Sequence, residues 1–147
     1  MSVMDLAQRF RAYANDFERS YADRQWSRLG PYFAVDAIYE CRAPESLAFR
    51  VVGRAAILER FALVTDAFDR RFESRTMHVD EPLAQGERVS IRGVVVYTVR
   101  DAPLLRLPFA EVAEYRSGEI IHLEDSASPS DVVAIGEWMA RYGDRLA

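Results

Sequence analysis

At 147 residues, half of them apolar and 12% aromatic, the chain is long enough to bury one substantial core and too hydrophobic to be disordered. Its formal net charge of −4 comes from interspersed acidic and basic residues with no block of one sign, so it carries neither the footprint of a nucleic-acid binder nor the basic patch of a protein held on anionic lipid. No run approaches the roughly 18 apolar residues of a membrane span, and the opening MSVMDLAQRFRAYANDFERS reads as an amphipathic charged helix and not as a signal peptide, so a cytoplasmic protein is expected.

Residues 5 to about 22 form the first predicted helix, because Leu6, Phe10, Tyr13, Phe17 and Tyr21 recur at spacings of four and three and make one apolar face. A short second helix over 26–32 is expected to stop at Gly30-Pro31, since proline pushes the residue before it out of the α region. Residues 37–42 (AIYECR) read as a short strand, and the following RAPESLAF as a loop that could form a rim or lid. Gly53 opens a third helix, with Ile57, Phe61, Val64 and Phe68 on one face.

After Phe68 the hydrophobic period drops to two, and β-branched residues become frequent. Residues 71–79 read as a strand, 81–86 as a turn, 88–100 as a long strand, and Asp101-Ala102-Pro103 as a hairpin connection. Residues 104–115 return, Ser117-Gly118 turns tightly, and 119–127 is the last strand. Ser128-Pro129-Ser130-Asp131 is a helix start with proline at the first helical position, and Val132, Ile135, Trp138, Met139 and Tyr142 mark a closing helix. Without an internal repeat or linker, residues 1–147 are expected to form a single domain. Three antiparallel strands in a meander need one face covered, and the helices supply that cover, which predicts an α+β fold. A strongly bent sheet under such helices leaves a cavity at its open end.

The absences narrow the chemistry. All 19 basic residues are Arg, which removes Schiff-base chemistry, a pyridoxal phosphate site and a Walker-type phosphate loop together. Cys41 stands alone, so neither an internal disulfide nor a Cys-rich zinc site can form. His78 and His122 are the only histidines and do not fall in HxxxH spacing, so no metal is expected. No cofactor is expected either, because GxGxxG is absent, and GxSxG is absent with it. Any chemistry falls to Asp, Glu, Tyr, Arg, the two His and Cys41.

Three stretches carry a family resemblance: LGPYFAVDAIYECRAP, the helix start VGRAAILERF, and EVAEYRSGEIIHLEDSAS. With them the chain resembles the nuclear-transport-factor-2-like (NTF2-like) superfamily, specifically its polyketide-cyclase (SnoaL-like) branch, over nearly its whole length. Relatives of that branch include ketosteroid isomerase, scytalone dehydratase and limonene epoxide hydrolase. The resemblance implies an NTF2-like cone, a strongly curved and mostly antiparallel sheet wrapped around N-terminal helices with a C-terminal helix. It implies no single activity, because the cone hosts several reactions and some members are not enzymes.

Carried over residue by residue, the resemblance is partial. Asp125 matches the aspartate that limonene epoxide hydrolases place on this strand, Tyr39 matches the tyrosine of their first strand, and Arg92 matches their arginine. The asparagine of their site corresponds to Cys41, the second aspartate to Val94, and His78 to a histidine at the same place. Against ketosteroid isomerase, the general-base aspartate falls at Cys41, a second acidic residue near Glu111, and the oxyanion-hole tyrosine at Phe17, with Tyr13 and Tyr21 one turn to either side.

The residues themselves point to the same strands. Alternation puts Ile121, Leu123, Asp125 and Ala127 on one face of the last strand and Ile120, His122 and Glu124 on the other. An aspartate among Leu, Ile and Ala loses solvation, the setting wanted in a general acid or base near neutrality; the alternative is a solvated or Arg-paired carboxylate. Glu111 shares its face with Phe109, Ala113 and Tyr115, and a hairpin turning around Asp101-Ala102 would set Arg92 nearly opposite Glu111 as a pair that tunes Asp125 or orients a substrate. One residue of register shift removes that contact. Tyr13, Tyr39 and Tyr21 are candidate donors to a developing oxyanion or plain core aromatics. Cys41 is expected to line the pocket as a small apolar residue, together with Tyr13, Phe17, His78, Phe109 and Leu123. His122 and Glu124 are expected on the surface of a homodimer. The expected function is cofactor-free acid–base chemistry on a small apolar organic molecule, with Asp125, Arg92, Glu111 and Tyr39 as the reacting set. The alternative is a binding or assembly module of the same fold.

Overall fold

The computed structural model describes residues 5–44 and 47–147. Helix α1 spans Leu6–Asp23; the Asp5 carboxylate accepts from the Gln8 amide at 3.1 Å to cap it, and Arg24 ends it in a left-handed conformation, donating to the Ser20 carbonyl. Its apolar face carries Phe10 and Tyr13 into the core, where Tyr13 meets Phe10, Phe17, Tyr32 and Phe33 edge to face. Trp26–Tyr32 is a 3-10 helix that runs through Pro31 instead of stopping before it. So short a helix loses only one N–H donor to the proline ring.

Strand β1 (Phe33–Arg42) begins four residues earlier than expected, because Phe33, Ala34 and Ala37 are all buried. The other strands are β2 (Phe49–Val52), β3 (Ser74–Val79), β4 (Leu83–Gln85), β5 (Arg88–Thr98), β6 (Leu105–Arg116) and β7 (Glu119–Ser126). The expected meander is β5–β6–β7, and it sits inside a larger curved, unclosed sheet of order β2-β1-β7-β6-β5-β3, with β4 paired to β5. Among the described residues, only β1 and β7 run parallel.

Two segments read as turn or loop are strands. Phe49–Val52 pairs antiparallel with β1, and Leu83–Gln85 with β5. Both are edge pieces whose backbone groups are satisfied by a neighbour distant in sequence, a signal that local pattern does not carry. The tip of the expected rim, residues 45–46, lies outside the described residues. β3 starts later than expected, since Asp69–Arg71 forms a 3-10 turn first.

Helix α2 (Arg54–Ala67) buries Ile57, Phe61 and Thr65, whereas Val64, expected on that face, is 37% exposed. Thr65 fits the buried stripe because its hydroxyl donates to the Phe61 carbonyl at 2.8 Å. Helix α3 (Pro129–Tyr142), capped by Ser128, packs Trp138 against Phe72 and closes the second core cluster with Val95, Tyr97 and Leu105. The main cluster joins α1, α2, the 3-10 helix and the concave face of β1, β5, β6 and β7.

Two backbone details set the concave face. In β7 the register slips by one between Tyr115↔Ile120 and Glu114↔His122, so Ile120 and Leu123 are both fully buried. Strict alternation had put these two on opposite faces; the bulge puts them on the same one. Gly93, in the middle of β5, has no side chain where a Cβ would lie 2.9 Å from Phe109 Cζ and 2.7 Å from the His78 carbonyl. That gap admits the Phe109 ring over the strand.

Candidate functional site

A single rung crosses the concave face. Ile91 on β5 faces Glu111 on β6, Glu111 faces Asp125 on β7, Asp125 faces Cys41 on β1, and Cys41 faces Phe49 on β2. Tyr39 lies two residues along β1, on the same face as Cys41. A cavity of about 480 Å³ opens above this rung, and Tyr13, Phe17, Tyr39, Cys41, Phe109, Glu111 and Asp125 all line it. Phe61 from α2 and Ile135 from α3 close its sides.

The carboxyls form a pair. Tyr39 Oη donates to Asp125 Oδ2 at 2.6 Å. Asp125 Oδ1 is buried and meets no N–H or hydroxyl donor among the described residues. Glu111 is hydrogen-bonded to the Asp125 side chain, and two carboxylates cannot share a hydrogen bond unless one of them holds a proton. Burial pushes the Glu111 carboxyl well above the usual range, and the charge and hydrogen bond of Asp125 push it further. The site therefore sets a Glu111 that favours its protonated form directly beside Asp125, whose Oδ2 accepts from Tyr39 and whose Oδ1 is left without a donor among the described residues. A carboxylate held in this way in an apolar hollow can take up or deliver one proton.

The phenols around the pair stay protonated. Burial lifts both Tyr39 and Tyr13 well above the ordinary tyrosine value, with Asp125 and Glu111 adding to the shift in each. Cys41 is pushed up to about 11 by burial first and then by Asp125. It is not an activated nucleophile, because a thiolate needs a nearby positive field to form. Tyr21, the other candidate phenol on α1, is not among the cavity-lining residues; it lies under the Arg70 and Arg75 guanidinium groups.

The cavity wall also carries a charged group that sequence reading missed. Arg75 on β3 lines the cavity with its side chain only 6% exposed; it donates to both oxygens of Glu18 at 2.7 and 3.2 Å and to Asp69 at 3.0 Å. Tyr97 donates to the same Asp69 oxygen at 2.8 Å. Burial raises Asp69, and these bonds work against that rise. Burial also works against the charge on Arg75, but the hydrogen bond and charge of Glu18 outweigh it and hold the guanidinium ionised. One signal was legible in sequence: Arg75, Met77 and Val79 share a period-two face.

Three expected site residues lie elsewhere. Arg92 does not face Glu111: the register sets Ile91 opposite Glu111 and Arg92 opposite Ala110. The hairpin centres on Asp101, which takes a positive φ of 62°, instead of between Asp101 and Ala102. This difference of half a step turns Arg92 to the outer, exposed face. His78 is likewise exposed, because β3 sends Arg75, Met77 and Val79 inward and His78 the other way. Leu123 is on the concave side, but it is fully buried in the core one rung from Asp125 and does not line the cavity.

On the outer face, Glu40, His122 and Glu124 bring possible ligand atoms within 4.8 Å of one another. Arg42 already pairs with Glu40 at 3.2 Å and with Glu124 at 3.0 Å, and His122 Nε2 lies 3.3 Å from Glu40. With Arg42 and also Arg50, 3.8 Å from Glu40, set against its two carboxylates, this cluster is charge-balanced and gives a divalent cation little to bind.

No family model matches the chain, and no curated protein does. Solved structures match well. A Catenulispora acidiphila protein with a ketosteroid isomerase-like fold, solved in complex with trimethylamine, is 24% identical, with 83% of this chain and 89% of that one covered and a TM-score of 0.61. A candidate isomerase from Rhodopseudomonas palustris is 17% identical, covers 92% and 99%, and has a TM-score of 0.67. A candidate polyketide cyclase from Sinorhizobium meliloti is 19% identical, covers 78% and 93%, and has a TM-score of 0.56. The chain has the NTF2-like fold that the sequence resemblance implied. No helix of the described residues is long and apolar enough to cross a membrane.

Proposed function

We propose that this protein is a SnoaL-like small-molecule enzyme that performs cofactor-free acid–base chemistry on an apolar organic substrate held in the cone. The observation that carries the proposal is the Asp125–Glu111 carboxyl pair, held by Tyr39 at the base of an otherwise largely apolar cavity. In this reading Asp125 exchanges the proton with substrate, Glu111 sets the charge state of Asp125, and Tyr39 fixes its orientation. Tyr13 supplies a second phenol toward the same space. Isomerisation, cyclisation, dehydration and epoxide opening all need such a proton exchange, and the relatives of this fold support that range without choosing within it.

The test is Asp125→Asn, assayed against a panel of apolar ketones, polyketide-like cyclisation precursors, epoxides and alcohols that the wild type turns over. A loss of about 10²–10⁴-fold in kcat with ligand affinity retained is the expected result. Full activity in that variant removes Asp125 from the reaction. The departures from both enzyme patterns, Cys41 in place of a base and Val94 in place of a second aspartate, favour the second reading, a binding domain without turnover. A ligand that co-purifies unchanged, with no panel member consumed, would support it. The complex of one neighbour with trimethylamine supports a small organic ligand for either reading.

The outer face of β1 and β7, with Glu40, His122 and Glu124, is where a second copy is proposed to pack. Sedimentation at micromolar concentration gives the mass; a monomer there removes the homodimer from the proposal.

A further inference from the structure

The charges that face the cavity are one-sided. Asp125 and Glu111 are direct strand partners that both line the cavity, and among the described residues no Arg or His forms an ion pair with either member. Arg75, the guanidinium on the cavity wall, is already matched by two carboxylates, Glu18 and Asp69. Another guanidinium, Arg60, stacks on the Phe49 ring at 4.1 Å and is close enough to work against the rise of the Cys41 thiol, but it does not line the cavity. The rest of the lining is mostly apolar, and Phe10, Tyr13, Phe17, Phe61 and Phe109 contribute aromatic rings to it.

Resting on the reading of this cavity as a substrate site, we infer that its occupant carries positive charge where it meets Asp125: an organic amine bound as its ammonium ion, or a substrate that becomes cationic as it reacts. A buried carboxylate without a counter-charge is costly, and a ligand cation recovers that cost. Aromatic faces favour the same ligand, since a desolvated ammonium is attracted to the ring quadrupole. An anionic substrate meets the opposite field and would have to displace Glu18 to reach Arg75. A neutral apolar ligand fills the space but leaves Asp125 unmatched.

The experiment compares two probes of one shape, benzyltrimethylammonium and neopentylbenzene, which differ in the charge on a single central atom. Affinities come from ligand-observed NMR titration of the wild type, Asp125→Asn and Glu111→Gln. Wild type is expected to prefer the ammonium by at least about tenfold, as a desolvated cation over aromatic rings does. Glu111→Gln leaves the Asp125 carboxyl in place and is expected to prefer the ammonium still. Asp125→Asn removes the carboxylate's share, and the preference falls severalfold to what the rings alone supply. Should Asp125→Asn fail to fold, Asp125→Leu, which needs no hydrogen-bond donor, replaces it.

Equal affinity of the two probes for wild type overturns the inference while leaving the acid–base reading intact, since that reading is judged by turnover in Asp125→Asn. A preference that is undiminished by loss of Asp125 also overturns it, because the cation then does not meet that carboxylate. Binding by neither probe overturns it and the cavity as a site for ligands of this size together.

Discussion

Glu111 and Asp125 are direct partners on antiparallel β6 and β7, so two carboxyls sit side by side in the buried face of the sheet. Because burial and Asp125 raise the Glu111 carboxyl, the folded protein keeps a proton there that the unfolded chain releases above its ordinary value of 4.5. The native state then binds more protons than the unfolded state, so this contribution to stability is complete below that value. It is lost as pH rises toward the folded-state pKa, at up to about 1.4 kcal/mol per pH unit. Urea denaturation from pH 5 to pH 9 should show the slope in wild type and a flatter one in Glu111→Gln. Parallel pH profiles for the two proteins would mean that Glu111 is ionised in the fold.

Tyr39→Phe removes the donor to Asp125 Oδ2 and keeps the ring contacts to Phe49 and Phe61. Leaving a buried carboxylate oxygen short of its donor should destabilise the protein by about 1–3 kcal/mol. The midpoint of chemical denaturation reads this directly; a change below about 0.5 kcal/mol, the usual range for a surface substitution, would show that water replaces the phenol.

Cys41 is expected to react slowly. With its thiol pushed up to about 11, alkylation by iodoacetamide should be far slower at pH 8 than for an exposed cysteine and should climb steeply above pH 10. Asp125→Asn removes the second cause of the shift, so its thiol should react faster than that of wild type at each pH. Cys41→Ser should retain turnover, which separates a lining residue from a nucleophile.

Arg75 and Arg92 make a contrast in one sheet. Arg75→Ala strands the buried Asp69 carboxylate and should cost about 3–5 kcal/mol. Arg92→Ala touches an exposed outer-face side chain and should stay within about 0.5 kcal/mol, with turnover unchanged. Thermal and urea unfolding of the two variants side by side separates the placements, and a large loss in Arg92→Ala would contradict the register that sends it outward.

Much of the architecture was legible because it is periodic. The spacing of Phe10, Tyr13 and Phe17 marks a helix face, and alternation through Phe109, Glu111 and Ala113 marks a strand face, with no knowledge of what lies opposite. Those patterns put Glu111 and Asp125 on faces rich in apolar residues, and the resemblance supplied Tyr39 and the cone. Edge strands such as Phe49–Val52 were not legible, since they are defined by a partner and not by their own pattern.

The primary sequence alone determined the order of helices and strands, the absence of lysine, and a supply of carboxyls and phenols as the available chemistry. Only the tertiary structure decided which of them meet. A hairpin centred on Asp101 turned Arg92 away, a bulge brought Ile120 and Leu123 to one face, and the parallel pairing of β1 with β7 set Tyr39 and Cys41 beside Asp125. Side-chain direction in a strand reverses with each residue, so register is a choice between two faces that long-range pairing makes and local sequence leaves open.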